Sequence, residues 1–182
     1  LDWLEKHTGK KVFGVLPHLH GLLLDAEDAV ADAGASKEGA LRVVVPVLPR
    51  ISNHNDLDPL RLHPDVELHL VGPDQPIPPG DVILLPGSKS TRTDLEWLYE
   101  QGWAEHIQRH LPYDGRVLGI CGGFQMLGHA IHDPDGIEGE PGSTQGLGLL
   151  DMETTLVEGK QLRRVDARLL PDGETVTAYE IH

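Results

Sequence analysis

In Val117-Leu118-Gly119-Ile120-Cys121-Gly122-Gly123-Phe124-Gln125-Met126-Leu127-Gly128 an apolar run passes through a glycine-bracketed cysteine into a second apolar segment. The first part reads as a buried strand and the last as the start of a helix, so the cysteine stands on the turn between them. Glycine at both two before and two after a potential nucleophile is the pattern of a nucleophile elbow, here with cysteine where serine is commoner. Such a turn is sharp, and a Cβ on either bracketing residue would strike the adjoining strand or helix. A lone cysteine on a strand is ordinarily a small buried hydrophobe. The strand, the double bracket and the helix together reverse that reading and make Cys121 the candidate nucleophile. At a helix N-terminus the partial positive charge favours a thiolate, and the N–H of Gly122 supplies half of an oxyanion hole.

Upstream of the elbow lie three more apolar runs: Leu41 to Leu48, Val66 to Val71 and Asp81 to Pro86. Continuous rather than alternating hydrophobicity indicates strands covered on both faces, as in a parallel sheet between helices. Leu95, Leu98, Tyr99, Trp103, Ile107 and Leu111 fall on one helical stripe, opened by a Thr93 to Glu96 capping box and weakened or broken at Gly102. Strand, helix and strand form a βαβ crossover. Met152 to Val157, Arg163 to Leu169 and Thr175 to Ile181 are short and partly alternating, with Asp172-Gly173 as a turn, and read as antiparallel strands appended to the α/β core.

The N-terminal end has a different texture. Residues 2 to 8 form a short amphipathic helix ended by Gly9, Val12 to Leu16 a brief strand, and Leu22 to Ala40 an acidic, small-residue connector. A boundary near residue 38 separates residues 1–38 from a domain spanning 39–182. The chain opens at Leu1 and stops at His182 directly after a strand-like run, which reads as a piece cut at both ends.

Composition narrows the chemistry. The 182 residues carry 15 Lys+Arg against 29 Asp+Glu, a net charge of −14. So acidic a chain, without a basic stripe and interleaved aromatics, does not fit nucleic acid as a partner. No run reaches the length of a membrane span and no secretory signal is visible. The single cysteine excludes an internal disulfide, and the lack of CxxC, HExxH or a Cys/His cluster argues against a zinc site, so a reducing cytoplasm is the expected compartment. His18-Leu19-His20 has no carboxylate partner and reads as solvated loop rather than metal ligand.

Leu85-Pro86-Gly87-Ser88-Lys89-Ser90-Thr91 is a second glycine turn at a strand end. It lacks the two glycines with four residues between them and the lysine directly after the second that a phosphate loop requires. In an open parallel sheet, loops at strand C-termini converge on one crevice, which brings this turn toward Cys121. The Gly87 N–H is the candidate for the other half of the oxyanion hole, and the same turn also serves as a strand-to-helix connection with Ser and Thr caps.

Together with the elbow, Leu85–Lys89, Ile51–Asp56, Asp133–Gly139, Gly146–Leu150 and Tyr179–His182 resemble the glutamine amidotransferase domain of cobyric acid synthases. Gly14–His20 and Leu24–Ala29 resemble the end of the dethiobiotin-synthetase-like ATP domain that precedes it. The resemblance spans essentially the whole chain. Cobyrinic acid a,c-diamide synthases share the elbow but match the N-terminal blocks less well. The implied fold is a flavodoxin-like class I amidotransferase domain, with a mostly parallel sheet flanked by helices.

The resemblance implies that Cys121 attacks the side-chain amide of glutamine, with Gly87, Gly122 and Gln125 in the oxyanion and glutamine-binding site. Ammonia would pass to a synthetase half that uses ATP and Mg²⁺ to amidate four carboxylates of adenosylcobyrinic acid a,c-diamide. The phosphate loop of that half is missing from these residues, so no cofactor and no metal is expected here. In the family the catalytic histidine lies in a Tyr-Leu-His motif later than the Tyr179–His182 block, so His182 is read as lining the site or shaping the pocket. Glu180 stands two before His182, the reverse of the His-x-Glu order in other thiol amidotransferases, and is not taken as a third member. A non-catalytic flavodoxin-like binding module that retains the elbow, or a cysteine hydrolase of another α/β family, are the other functional classes.

Overall fold

The computed structural model describes residues 2–14, 39–159, 162–170 and 172–181. The chain divides into two compact units, residues 1–35 and 36–182. In the first, helix α1 (Asp2–Thr8) ends at Gly9, whose N–H donates to the Glu5 carbonyl at 2.9 Å. Residues 11–14 are irregular where the apolar run had suggested a strand. Its remainder, with His18, His20 and the Leu24–Ala29 block, lies outside the described residues, as do residues 36–38 and His182.

The second unit is built on β1 (Leu41–Pro46), β2 (Val66–Val71), β3 (Val82–Leu85) and β4 (Arg116–Gly119), all parallel in the order β2-β1-β3-β4. Alternate residues of β1 and β3 feed opposite faces. Val44, Ile83 and Leu85 face α3 (Thr91–Glu100), α4 (Trp103–His110) and α5 (Gly122–Met126), burying Leu95, Leu98, Trp103, Ile107 and Met126. Val43, Val45 and Leu84 face the other way, toward Leu57 of a 3₁₀ turn and Leu60 of α2 (Asp58–Leu62). Burial on both faces is the reason these strands are continuously apolar, and the parallel α/β sheet expected from them is the one observed.

The long helical stripe is two helices. Gly102 adopts φ 75, a left-handed conformation that ends one helix and opens the next, so the break falls where glycine is the one residue free of a Cβ penalty. Leu95, Leu98, Trp103 and Ile107 are nonetheless buried together. The expected capping box at Thr93 and Glu96 is not formed. Helix α3 begins two residues earlier, at Thr91; Thr93 Oγ1 accepts from Ser90 Oγ at 3.1 Å and Glu96 accepts from Thr144 Oγ1 at 3.2 Å.

Beyond the elbow, β5 (Ala130–Asp133), β6 (Gly142–Gln145) and β7 (Glu153–Thr155) form a small sheet in the order β6-β5-β7. The strand within Met152–Val157 is therefore parallel to β5, not an antiparallel addition, and β5 and β6 were not anticipated. Three or four residues are too few to show a period, and the segment between β6 and β7 is held by N–H groups of Leu147 to Leu150 that satisfy the carbonyls at the end of α5. β8 (Leu162–Arg168) and β9 (Thr175–Ile181) form the expected antiparallel hairpin, with Gly173 at φ 73 in the turn.

Candidate active site

Parallel strands β3 and β4 pair in register, Leu85 opposite Gly119, so their C-terminal loops leave the sheet side by side. The Ile120 N–H donates to the Leu85 carbonyl at 2.9 Å, and the chain then reverses at Cys121, whose φ of 50 and ψ of −113 are foreign to L-residues. Gly123 N–H closes the turn on the Ile120 carbonyl at 2.9 Å and Gln125 N–H bonds the Cys121 carbonyl at 3.1 Å.

The bracketing glycines are required for the stated steric reason. A Cβ on Gly119 would lie 2.6 Å from the Gly123 carbonyl oxygen and from Phe124 Cα; one on Gly123 would run into the Leu85 carbonyl and lie 2.7 Å from the Pro86 oxygen. Gly122 is equally confined, with a Cβ position 2.9 Å from Ser88 N and 3.2 Å from Thr91 Oγ1. Cys121 itself is exposed. Because α5 has only five residues, its dipole is small and the individual N–H groups of the turn carry the local positive potential.

Gly87 stands opposite. A Cβ placed on it would be 3.7 Å from Cys121 Cβ, and its other neighbour is Ser52, whose Oγ would be 2.6 Å away. Ser52 N–H donates to the Gly87 carbonyl at 2.8 Å and Lys89 N–H to the Arg50 carbonyl at 2.9 Å, which ties the loop after β1 to the loop after β3 at the point where strand order reverses. Among the described residues no acceptor takes the N–H of Gly87, Ser88 or Gly122. Three main-chain donors without an acceptor thus belong to the two turns that meet at one exposed thiol. Gln125 is half-buried, one helical turn beyond Cys121 on α5.

Two further blocks, Asp133–Gly139 and Gly146–Leu150, act as supports. Asp133, at the end of β5, has a fully buried side chain that accepts from Ile137 N–H at 2.7 Å, Glu138 N–H at 2.9 Å and Arg92 Nη1 at 3.3 Å. Burial pushes its pKa up, but these donors outweigh it and hold the carboxyl below the usual range. Glu138 in turn accepts from the Arg92 N–H at 3.0 Å, clipping the 133–142 loop to the start of α3. Gly146–Leu150 closes the end of α5: Leu147, Gly148 and Leu149 N–H groups bond the carbonyls of Met126, Gly128 and Leu127. Tyr99 OH donates to the Gly146 carbonyl at 2.7 Å.

Sequence reasoning missed Ser52, Thr91, Arg92, Asp94 and the Ser88 side chain. The loop after β1 carries the signal for Ser52, as strand C-termini at a reversal of order meet; nothing local pointed to Arg92. None of the described histidines hydrogen-bonds Cys121, and His182 lies outside the described residues. The Gly87 turn does not fit a nucleotide phosphate, since the Lys89 N–H is taken by the Arg50 carbonyl and the Ser90 N–H by the Ser88 hydroxyl. Nor do three or more His, Cys, Asp or Glu side chains gather as a cation site among the described residues. A cavity of about 430 Å³ lined by Gly80, Asp81, His106, Arg109 and Gly115 opens at the N-terminal ends of β3 and β4, the opposite end of the sheet from Cys121.

A doubly wound sheet presenting cysteine on a strained strand-to-helix turn defines the protein as an α/β elbow protein of the thiol type. Residues 42–182 match the CobB/CobQ-like glutamine amidotransferase domain, and the chain belongs to that family. The fold is similar to a chain in the structure of PurLQS from Thermotoga maritima, with a TM-score of 0.55 and 21% identity over 79% of this chain. The match covers 66% of that chain.

Proposed function

We propose that this domain releases ammonia from glutamine through a Cys121 thioester. The observation that carries the reading is the strained Cys121 with the unengaged N–H groups of Gly87, Ser88 and Gly122 around it. The sulfur adds to the carboxamide carbon, its oxygen takes the negative charge against those donors, and the C–N bond breaks to expel ammonia. Water then cleaves the glutamyl thioester to glutamate and the free thiol. The proton taken from sulfur and returned to nitrogen needs a base, which we assign outside the described residues. We take Gln125, half-buried on the helix that starts at the nucleophile, as a residue that contacts the glutamine.

The finer reading is the amidotransferase part of a cobyric acid synthase, with residues 39–182 as that part and 1–38 as the end of the synthetase half. The ordered sequence blocks support it. Ammonia would go to the b, d, e and g carboxylates of adenosylcobyrinic acid a,c-diamide, in a reaction that the synthetase half drives with ATP and Mg²⁺. A single cysteine with no disulfide partner in the chain fits a reducing compartment, which supports a cytoplasmic protein; no helix among the described residues is long and apolar enough to cross a membrane.

The test is glutamate release from glutamine by the full natural polypeptide and its Cys121→Ala variant. Hydrolysis by the first and background by the second, with equal melting curves, is the expected result. Equal rates in both would sink the thioester mechanism. Supply of ammonium salt should restore corrinoid amidation to Cys121→Ala; failure to amidate any corrinoid with ammonium would reject the cobyric acid synthase reading alone.

A further inference from the structure

We propose that Asp94 is a positioning residue for the Cys121 site, acting through the Ser88 hydroxyl to hold the Gly87-Ser88 main-chain donors toward the oxygen of the tetrahedral intermediate. The inference rests on the thioester reading above and goes beyond it by naming what aims the oxyanion donors.

Asp94 lies in the first turn of α3 and is fully buried. Its Oδ2 accepts from Ser88 Oγ at 2.6 Å, a short charge-assisted bond. With its proton committed there, Ser88 Oγ accepts from Ser90 N–H at 3.0 Å, and Asp94 N–H donates to the Ser90 carbonyl at 3.0 Å. The Gly87–Ser90 turn is thereby closed on itself by one bond and tied to the helix by two. Asp94 Oδ1, by contrast, has no hydrogen-bond partner and is buried. Burial raises the Asp94 pKa against the lowering effects of the Ser88 hydrogen bond, of the Arg50 main-chain N–H and of the Arg50 charge, and the Glu138 charge adds to the rise.

A buried carboxylate oxygen without a partner is unfavourable, and beside Leu95 and Leu98 an apolar side chain would relieve it. What the carboxylate supplies that a leucine cannot is the orientation of Ser88. That orientation matters because the turn is in contact with the elbow: Ser88 N is 2.9 Å from the Cβ position of Gly122. A small rotation of the Gly87-Ser88 peptide would turn its free N–H away from the space above Cys121, and misplacement on that scale is expensive in rate.

The experiment compares wild type, Ser88→Ala, Ser88→Thr, Asp94→Asn and the Ser88→Ala/Asp94→Asn double variant in the full natural polypeptide. Three quantities are read: kcat and KM for glutamine, affinity for glutamate γ-semialdehyde, and the rate of Cys121 alkylation by iodoacetamide. The semialdehyde forms a hemithioacetal, with sulfur bonding the aldehyde carbon and the thiol proton passing to its oxygen, so it reports on the oxyanion donors without turnover. Alkylation forms no oxyanion.

Ser88→Ala should lower kcat and semialdehyde affinity about 10- to 100-fold, with KM and alkylation within about twofold, a fraction of what loss of a whole oxyanion donor costs. Ser88→Thr, which keeps the hydroxyl, should recover most of the loss. The double variant should lose no more than Ser88→Ala alone, because both act through one linkage. Wild-type kcat and affinity in Ser88→Ala would overturn the proposal, as would additive losses. Alkylation slowing in step with affinity would also overturn it, since the elbow itself would then have moved. A wild type that alkylates but neither hydrolyses glutamine nor binds the semialdehyde would overturn the thioester reading along with it.

Discussion

The parallel sheet that carries the elbow and the β8-β9 hairpin are both built from short strands, yet they are held in opposite ways. In β1 and β3 the side chains of Val43, Val44, Val45, Ile83, Leu84 and Leu85 are buried on two faces. In the hairpin Leu162 and Tyr179 are about two-thirds exposed, and the pairing rests on the backbone ladder, on Arg163 bonded twice to Glu180 at 2.6 and 2.9 Å, and on Thr177 Oγ1 donating to Asp166 at 2.9 Å. The difference explains where strain can be kept. A cysteine at φ 50 and ψ −113 persists only when its surroundings leave no alternative, and the packed glycines between β3, β4 and α5 provide that confinement.

The contrast can be broken most severely at Gly123. Gly123→Ala places a methyl group against the Leu85 carbonyl, so the elbow must open or the strands part; the expected outcome is loss of glutamine hydrolysis to background together with a broadened or absent thermal transition. A cooperative melt with wild-type turnover would show that the turn is not confined as described. Next in size, Ile107→Ala or Leu95→Ala removes a fully buried side chain between helix and sheet, and should cost about 2–5 kcal/mol in urea unfolding.

A smaller and conditional effect is expected at Asp133. Its carboxyl has a lowered pKa in the folded protein, so its stabilisation is present above the ordinary aspartate value near pH 4 and is lost as pH falls through the lower folded value. Asp133→Asn should therefore melt several degrees below wild type at pH 7, and the gap should narrow as the pH falls below the ordinary aspartate range. A gap independent of pH would assign the effect to shape rather than charge. The hairpin should respond least: Tyr179→Ala is expected to change unfolding by no more than about 0.5 kcal/mol, and a core-sized loss would mean that its exposed face is covered by another part of the protein.

How much was legible in advance follows the same division. The four parallel strands and the α3-α4 stripe could be read because burial on two faces or along one face leaves a hydrophobic period. The helix start could not: Thr93 and Glu96 fit a capping box locally, but the chain enters α3 at Ser90, where the turn after β3 is already bonded to Asp94. β5 and β6 escaped, and β7 was read with the wrong orientation, because such short strands outside the doubly covered sheet carry no hydrophobic period and pairing direction is set by the fold.

The sequence alone determined that a cysteine sits on a glycine-bracketed strand-to-helix turn in a parallel α/β sheet, since sterics at Gly119 and Gly123 and the apolar strands are local properties of the chain. Tertiary structure decided what surrounds that cysteine: Ser52 from the loop after β1, the Gly87-Ser88 donors from the loop after β3, and the Arg92–Asp133 clip that joins α3 to β5. These contacts join residues tens of positions apart, and the bonds that hold them, from Ser52 N–H to the Gly87 carbonyl and from Arg92 to Asp133, pair donors and acceptors that local sequence does not bring together.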